Sequence, residues 1–248
     1  MAAAALRRRL TWQRAEVLAV RRETPRAYRL TLAPPDWPGH VPGQHLDVRL
    51  TASDGYTAQR SYSIASAPQR AELEIVVERV DDGEVSPYLT DVLRSGDLLE
   101  LRGPIGGYFV WPDGSDDAVQ LIAGGSGVAP FLAMLAHHRA AASPVPVRLL
   151  YSARTAGDII GREDLEHPPP GVTVQVTLTR GTPEGWTGLT GRIDAAVLAA
   201  HTVPAAQRPH VLVCGPTSFV ETVARDLVAL GHDSGQIKTE RFGATGGQ

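Results

Sequence analysis

The fold class predicted by the sequence is all-β + α/β, with the two parts following one another along the chain. Through residue 112 or so, short β-prone runs alternate with Gly, Pro and Asp clusters, which is typical of an antiparallel barrel or sandwich. From about Asp116 onward, apolar strands alternate with helical stretches, which predicts a parallel sheet covered by helices. The turn-rich stretch VWPDGSDD, residues 110–117, is the natural boundary between the two parts.

Six strands and one short helix are predicted in the first part. The strand runs are RAEVLAV, RAYRLTLAP, QHLDVRLT, AQRSYSIAS, LEIVVERV and DLLELRGP. Each is short, rich in β-prone residues and bounded by turn residues. Only EVSPYLTDVL, between the fifth and sixth runs, predicts a helix.

Five strands and two helices are predicted in the second part. The strands are AVQLIAG, VPVRLLYSAR, VTVQVTLTR, HVLVCGP and QIKTERFG. The helices are VAPFLAMLAHHRAA after the first strand and SFVETVARDLVALG after the fourth. Strands of this kind alternating with helices predict βαβ units.

Composition narrows the class of protein. The 248 residues are 43% hydrophobic and 21% charged with a net charge of -3, and no run of Lys or Arg could follow a nucleic-acid backbone. The single cysteine, Cys214, excludes an internal disulfide, a Cys₄ zinc site and an iron–sulfur cluster held by this chain alone, and no metal site is predicted. The opening MAAAALRRRL reverses the order of a signal peptide, and no run reaches membrane-spanning length, so we expect a cytoplasmic protein.

A glycine-rich turn joins the first strand and the first helix of the second part. In LIAGGSGVAPFLAML, Gly124, Gly125 and Gly127 would let the backbone approach a pyrophosphate, which the N–H groups at the helix start can bind. The motif is not the G-x-G-x-x-G fingerprint. A tight strand-to-helix turn explains these glycines equally well.

Other candidate residues follow strands of the second part. Cys214, in VLVCGPTSF, falls beyond a strand end, where ligands bind in open α/β sheets. Taken alone it fits a buried structural cysteine, and no neighbour indicates an activated thiolate. Arg154, Arg180 and Arg192 also follow strands. Several converging guanidinium groups would suit a phosphate, although each by itself fits a solvated surface position.

The stretch RSYSIAS, Arg60 to Ser66, is unusual for a strand in the first part. It combines a cation, an aromatic ring and three hydroxyls, whereas a strand that only builds a core has apolar residues at alternate positions. Alternation puts Arg60 and Tyr62 on one face and Ser63 on the other. All three can therefore touch one ligand only if the ligand approaches the edge or the end of the strand.

Taken together, these segments resemble the ferredoxin–NADP⁺ reductase family from about Ala15 to Gly243. The resemblance implies a six-stranded antiparallel Greek-key β-barrel over residues 10–112 that binds a flavin. It also implies a Rossmann-like parallel sheet with helices on both faces, over residues 117–248, that binds NADP.

The resemblance assigns flavin-binding roles in the barrel. Arg60 would pair with the flavin phosphate, Tyr62 would lie against the ring or ribityl chain, and Ser63 would hydrogen-bond near flavin N5. VVERVDDGEVSPYL resembles the family's G-x-x-S segment, which favours FAD over FMN because only FAD has a pyrophosphate. The implied flavin set is Arg60, Ser61, Tyr62, Ser63, Val77, Gly83, Val85 and Ser86.

The resemblance also assigns nucleotide-binding roles. GGSGVAP resembles the pyrophosphate loop, and Cys214, Gly215 and Pro216 resemble the C-G-P motif that seats the nicotinamide. Thr179-Arg180 matches the hydroxyl–arginine pair of members that prefer NADPH. Bacterial members have arginines that match Arg154 and Arg192, so NADPH is favoured over NADH. The implied nucleotide set is Gly124, Gly125, Gly127, Arg154, Thr179, Arg180, Arg192, Cys214, Gly215, Pro216 and Phe242.

Some residues near these motifs have two possible roles. Phe242, in the tail ERFGATGGQ, either covers the nicotinamide side of the ring or only packs, and Glu240 is either a proton or hydrogen-bond partner or a surface acid. His45 is interpreted as a barrel side chain, and His137 and His138 as solvent-facing.

The implied function is electron transfer. Hydride would pass from NADPH to FAD, and single electrons would go on to a separate acceptor such as a ferredoxin, an oxygenase component or a small diffusible molecule. Ser63, Tyr62 and Cys214 are the predicted catalytic residues, and neither nucleic-acid binding nor membrane insertion is expected. The alternatives are a cytochrome b5 reductase-like enzyme that prefers NADH and a non-catalytic flavin redox module.

Overall fold

The computed structural model describes residues 10–112 and 114–242, which form two lobes, each built on a six-stranded sheet. We call them the barrel lobe and the sheet lobe. The first nine residues, on which the expected location in the cell partly rests, lie outside the described residues. Gly243 of the ERFG tail also lies outside them.

The barrel lobe is an antiparallel Greek key with strand order β4-β3-β6-β1-β2-β5. Its strands are β1 Gln13–Arg22, β2 Ala27–Ala33, β3 His45–Thr51, β4 Thr57–Ser63, β5 Leu73–Glu78 and β6 Leu98–Ile105. An antiparallel bridge from Ile64 to Ile75 joins the two edges of this sheet just beyond the end of β4. The sheet therefore closes into a barrel rather than forming half of a sandwich.

A short helical segment fills one part of the barrel. Residues Tyr88–Val92 form a π-helical turn within the predicted EVSPYLTDVL helix. Leu89 and Leu93 are fully buried there and pack into the barrel core with Leu30, Leu46 and other strand residues. Burial of these side chains holds the segment in place, because a single helical turn is not stable by itself.

The sheet lobe is a parallel Rossmann-like sheet with strand order β10-β9-β8-β7-β11-β12. Its strands are β7 Val119–Gly124, β8 Val147–Ala153, β9 Val172–Leu178, β10 Leu189–Thr190, β11 His210–Pro216 and β12 Ile237–Phe242. Its helices are α1 Ala129–Ala140, α2 Arg162–Glu166, α3 Ala195–His201 and α4 Thr217–Ala229. The short elements β10, α2 and α3 are the ones that sequence patterns missed.

Helices cover both faces of this sheet, as predicted. On one face α1 packs Phe131 and Leu135 against β7 and β8, and on the other α3 and α4 pack Leu198 and Val223 against β7 and β11. The expectation that His138 faces solvent is wrong. Its side chain is buried, and Nε2 lies 2.8 Å from the carbonyl oxygen of Val145.

The two lobes share an apolar contact. Ala27 and Val76 of the barrel belong to one buried cluster with Phe109 and with Met134 of α1. Gly43 has φ +100°, and a Cβ there would overlap the backbone at Phe109, so this position of the turn Pro42-Gly43-Gln44 before β3 requires glycine. None of the described helices is long and apolar enough to cross a membrane.

Candidate functional site

The candidate site lies where the parallel strands of the sheet lobe end beside the barrel lobe. In the sheet order, β7 lies between β8 and β11, so the strand order reverses there while all three strands stay parallel. Ligands of open α/β sheets bind at such a switch point. A cleft of about 200 Å³ opens at this place. Its lining includes Thr24, Arg26 and Glu78 from the barrel lobe and Gly125, Arg154, Thr179, Pro216, Phe219 and Phe242 from the sheet lobe. We call it the interlobe cleft.

Strand β4 presents the RSYS residues at an open edge. Among the described strands, β4 pairs only with β3 along Thr57–Ser63, and the barrel closes only beyond it, at Ile64. The Arg60 side chain is 53% exposed, whereas Tyr62 packs partly against the barrel core. An open edge lets one ligand meet side chains of both faces, which simple alternation along the strand would separate.

Four polar side chains meet at the junction of the lobes. His45 and Ser63 are register partners at the ends of β3 and β4, and Cys214 and Glu240 are register partners at the ends of β11 and β12. The Cys214 thiol donates to Glu240 Oε2 at 3.9 Å, and His45 Nδ1 lies 3.9 Å from Glu240 Oε1. Ser63 adds a further hydrogen bond to Glu240. We call these four residues the junction cluster.

The junction cluster has unusual acid–base properties. Burial raises the pKa of Glu240 to about 7, although the hydrogen bonds from Cys214 and Ser63 act in the opposite direction. Burial and the neighbouring Glu240 raise the pKa of the Cys214 thiol well above its ordinary value. Cys214 is therefore protonated at neutral pH, which fits a positioning role and not a nucleophile. Glu240 can carry a proton near neutral pH.

The glycine turn after β7 is packed closely on one side and open on the other. A Cβ at Gly127 would overlap the carbonyl of Cys214, and a Cβ at Gly124 would lie 2.9 Å from the ring of Phe219. Gly125 has φ +56° with nothing within 4 Å of its Cβ position. The backbone is thus accessible above Gly125, just before α1, which is the arrangement that suits a pyrophosphate.

The predicted arginines are brought near one another by the strand ends. The N–H of Arg180 donates to the carbonyl of Arg154 at 2.7 Å, and the N–H of Gly191, next to Arg192, donates to Leu178 at 2.9 Å. Arg154 and Thr179 line the interlobe cleft, whereas Arg180 and Arg192 are exposed outside it. Within the described residues, none of the three guanidinium groups has a carboxylate partner.

Several predicted flavin residues use their side chains for the barrel itself. The Ser61 hydroxyl donates to Asp47 at 2.6 Å, and the Ser86 hydroxyl accepts from the backbone N–H of Val80 at 3.0 Å. Val77 and Val85 are buried in the barrel core. Ser61, Val77 and Val85 could therefore contact a flavin only through their backbone.

The remaining predicted nucleotide residues lie together at the ends of the neighbouring strands β11 and β12. Pro216 and Phe242 are register partners in the sheet, and both line the interlobe cleft. A Cβ at Gly215 would lie 2.8 Å from the Phe219 ring. Gly215 therefore lets the Phe219 ring pack closely against the backbone of β11. Pro216 and Phe242 form an apolar wall of the cleft.

Sequence reasoning missed three residues of this region. Glu78 accepts a hydrogen bond from the Ser126 hydroxyl at 2.7 Å, which connects the glycine turn to β5. Phe219 covers Gly124 and Gly215. His45 is a side chain of barrel strand β3, as interpreted, but its place at the lobe junction was not foreseen. The sequence signal for Phe219 was its nearness to the C-G-P motif. Glu78 had no signal because its partner is distant in sequence.

Both lobes match known families of domains. Residues 19–110 match the family described as "Oxidoreductase FAD-binding domain", and residues 121–225 match "Oxidoreductase NAD-binding domain". Together these matches cover most of the barrel and most of the parallel sheet.

Relatives and solved structures agree with these matches. The chain is 34% identical over 210 residues to the glycine betaine monooxygenase reductase subunit of Chromohalobacter salexigens, covering 82% of this chain but only 56% of that protein. It is 30% identical over 213 residues to NADH-cytochrome b5 reductase 1 of Lodderomyces elongisporus, covering 83% of this chain and 70% of that protein.

The fold matches a solved flavoprotein domain over its whole length. The crystal structure of the flavohem-like FAD/NAD-binding domain of nitric oxide dioxygenase from Vibrio cholerae superposes with a TM-score of 0.82 at 26% identity. That match covers 94% of this chain and 99% of that one. With both domain types, their order and the shared fold in agreement, the chain belongs to the ferredoxin–NADP⁺ reductase family of FAD- and NAD-binding oxidoreductases.

Proposed function

We propose that this chain passes hydride from NADPH to FAD and then passes electrons singly to a separate acceptor. One observation carries the proposal. His45 and Ser63, paired on neighbouring barrel strands, lie against Cys214 and Glu240, paired on neighbouring strands of the sheet lobe, beside the interlobe cleft. The predicted flavin strand and the predicted nucleotide strand thus end against each other. A flavin ring on one and a nicotinamide on the other would come together there.

The barrel lobe fits a flavin. Arg60 offers a guanidinium at the open edge of β4 for a phosphate, Tyr62 offers a ring surface, and Ser63 offers a hydroxyl at the lobe junction. When bound, FAD supplies the chemistry that accepts a hydride and releases electrons one at a time. FAD is favoured over FMN because the Gly83–Ser86 turn lies beside Arg60, where a pyrophosphate would extend.

The protein's own residues would position the reactants. Ser63 would hold the flavin edge by a hydrogen bond, and the buried, protonated Cys214 would set the approach of the nicotinamide. Glu240 would hold or release a proton at its carboxyl group near neutral pH. No base is needed for the hydride step, so the cluster acts by orientation and by excluding water.

NADPH is our proposed electron donor. Arg154 and Thr179 line the interlobe cleft, and Arg180 and Arg192 lie on neighbouring strand ends without carboxylate partners among the described residues. These groups suit the 2′-phosphate that distinguishes NADPH from NADH. The second candidate is an NADH-dependent enzyme, which the relative named NADH-cytochrome b5 reductase 1 favours.

The acceptor we propose is a separate electron-carrier protein. One relative is named a monooxygenase reductase subunit, which favours an oxygenase component or a ferredoxin as the acceptor class. The single cysteine of this chain cannot itself hold an iron–sulfur cluster. The chain spans 56% of the length of that relative.

One optical experiment tests the proposal. The purified protein, reconstituted with FAD, is titrated anaerobically with NADPH and, in a parallel sample, with NADH. We expect the yellow flavin absorbance to bleach, and at lower concentrations of NADPH than of NADH. A yellow protein that does not bleach with either nucleotide would favour the non-catalytic flavin module, and failure to bind FAD would reject both. A screen of ferredoxins and diffusible dyes on the bleached protein then identifies the acceptor class.

A further inference from the structure

The arginine predicted to hold the flavin phosphate already has an anionic partner. Arg60 Nη2 lies 3.1 Å from Glu84 Oε2, and Arg60 Nη1 donates to the carbonyl of Gln59 at 2.7 Å. The second oxygen of Glu84 accepts a hydrogen bond from the Tyr56 hydroxyl. Both terminal nitrogens of the guanidinium group therefore already contact groups of this chain.

The position of Glu84 follows from a tightly closed turn. The N–H of Gly83 donates to the carbonyl of Val80 at 3.0 Å, and the N–H of Val80 donates to the Ser86 hydroxyl at 3.0 Å. Val85, the next residue, is buried in the barrel core. With Val85 directed inward, the turn presents Glu84 outward, toward the edge of β4 where Arg60 lies.

Two further arginines beside this turn are also paired. Arg26 lies 3.1 Å from Asp81, and Arg79 lies 3.0 Å from Asp91 as well as against Asp81. Arg26 and Arg79 thus each have a carboxylate partner, as Arg60 does. An incoming pyrophosphate that takes Arg26, Arg60 or Arg79 as its cationic partner must compete with the carboxylate already there.

We propose that Glu84 is an internal competitor for the flavin phosphate, which binds Arg60 in the absence of FAD and thereby sets the affinity for the cofactor. The inference rests on the proposed FAD site. Tyr56 strengthens the competition because its hydroxyl holds the carboxylate in place. The pKa of Glu84 is lowered mainly by this hydrogen bond and further by the positive charge of Arg60. The carboxylate is therefore charged under ordinary conditions and must move when the pyrophosphate binds.

The test measures FAD affinity and not turnover. Apo-protein is prepared by removing the flavin, and FAD is titrated while flavin fluorescence is followed. We expect Glu84→Gln to lower the Kd for FAD about three- to tenfold. This range corresponds to the loss of one exposed ion pair with Arg60 and of one negative charge that repels the pyrophosphate. Asp82→Asn is the matched control, because it removes the same charge from the same turn two residues away. It should change the Kd less than about twofold.

A double-mutant cycle identifies the mechanism. Arg60→Ala should raise the Kd for FAD, and adding Glu84→Gln to Arg60→Ala should then have little further effect, since the competition needs both partners. Weaker FAD binding in Glu84→Gln, or equal effects of Glu84→Gln with and without Arg60, would overturn the inference while leaving the FAD site intact. Absence of FAD binding by the unaltered protein would instead reject the proposed function.

Discussion

At the scale of single residues, Glu240 illustrates how packing changes chemistry. Its carboxyl group is ordinary in sequence, lying in a strand between Thr239 and Arg241. In the fold it is 26% exposed and surrounded by Ser63, Cys214 and His45. Burial disfavours its charged form and raises its pKa to about 7, so the group titrates where the enzyme would work.

The first prediction concerns the pH dependence of stability. Because the pKa of Glu240 is raised in the folded protein, its favourable contribution is complete below about pH 4.5 and is lost as the pH rises toward 7. Glu240→Gln, which resembles the protonated acid, should match the wild type near pH 5 and exceed its free energy of unfolding at pH 8 by about 2–3 kcal/mol. Urea unfolding of flavin-saturated protein at several pH values measures this.

A matched control is Glu221→Gln, which removes an exposed carboxylate near the same end of the sheet lobe. Its free energy of unfolding should differ from that of the wild type by the same small amount at every pH. If the free energies of unfolding of Glu240→Gln and the wild type differ by a constant amount between pH 5 and 8, the pKa of Glu240 is not raised in the folded protein.

A second prediction at this scale concerns the nucleotide. Arg180→Ala should raise the KM for NADPH about tenfold, the loss of one charge-assisted contact to a phosphate, and change the KM for NADH by less than about twofold. Steady-state kinetics with a dye acceptor measure both constants. Arg208→Ala, an exposed arginine elsewhere in the sheet lobe, is the control. Equal changes with NADPH and NADH would remove the 2′-phosphate assignment.

At the scale of elements, the glycine turn between β7 and α1 owes its shape to β11, a strand some 90 residues later in the chain. The strand-to-helix pattern predicted the turn correctly. It could not show which glycine is needed for which reason: Gly125 supplies a positive φ, and Gly127 allows contact with the backbone of Cys214.

The third prediction tests this contact. Gly127→Ala places a methyl group against the Cys214 carbonyl, so it should lower the free energy of unfolding by about 2–3 kcal/mol and weaken NADPH binding. Gly157→Ala is the control, because its added Cβ would meet only Thr155 Oγ1 at 3.7 Å. Denaturant unfolding and nucleotide titration are the measurements. Equal free energies of unfolding for the two variants would show that the backbone of the turn can shift to accept the methyl group at residue 127.

At the scale of the whole molecule, a buried ion-pair network holds the two lobes together. Arg29 of β2 contacts Glu23 and Glu74 within the barrel lobe and Asp164 of α2 at 2.9 Å in the sheet lobe. Glu23 in turn accepts from the N–H of Gly161 at 3.0 Å. Burial opposes the charge on Arg29, but the three carboxylates outweigh it and raise its pKa.

The fourth prediction follows from this network. Arg29→Ala leaves carboxylates without their shared partner and should lower the free energy of unfolding by about 3–5 kcal/mol. Asp164→Asn removes only the charge of the half-exposed carboxylate, so it should lower the free energy of unfolding by about 1 kcal/mol or less. Guanidinium unfolding measures both. A loss below about 1 kcal/mol for Arg29→Ala would mean that the apolar contact alone holds the lobes.

The sequence by itself determined the order of the two lobes, the long strands and helices, and the motifs on the strand ends. These are local properties, because turn residues, hydrophobic patterns and glycine spacing act within a few positions. Short elements such as β10 and α3 were missed because they are too brief to have a pattern and depend on packing for their stability.

Only the tertiary structure decided how residues far apart in sequence combine. Nothing local shows that Ser63 and Glu240 share one site, that Glu84 pairs with Arg60, or that His138 is buried. The physical reason is that burial and electrostatic contact depend on neighbours in space, and here those neighbours come from segments far apart in the chain.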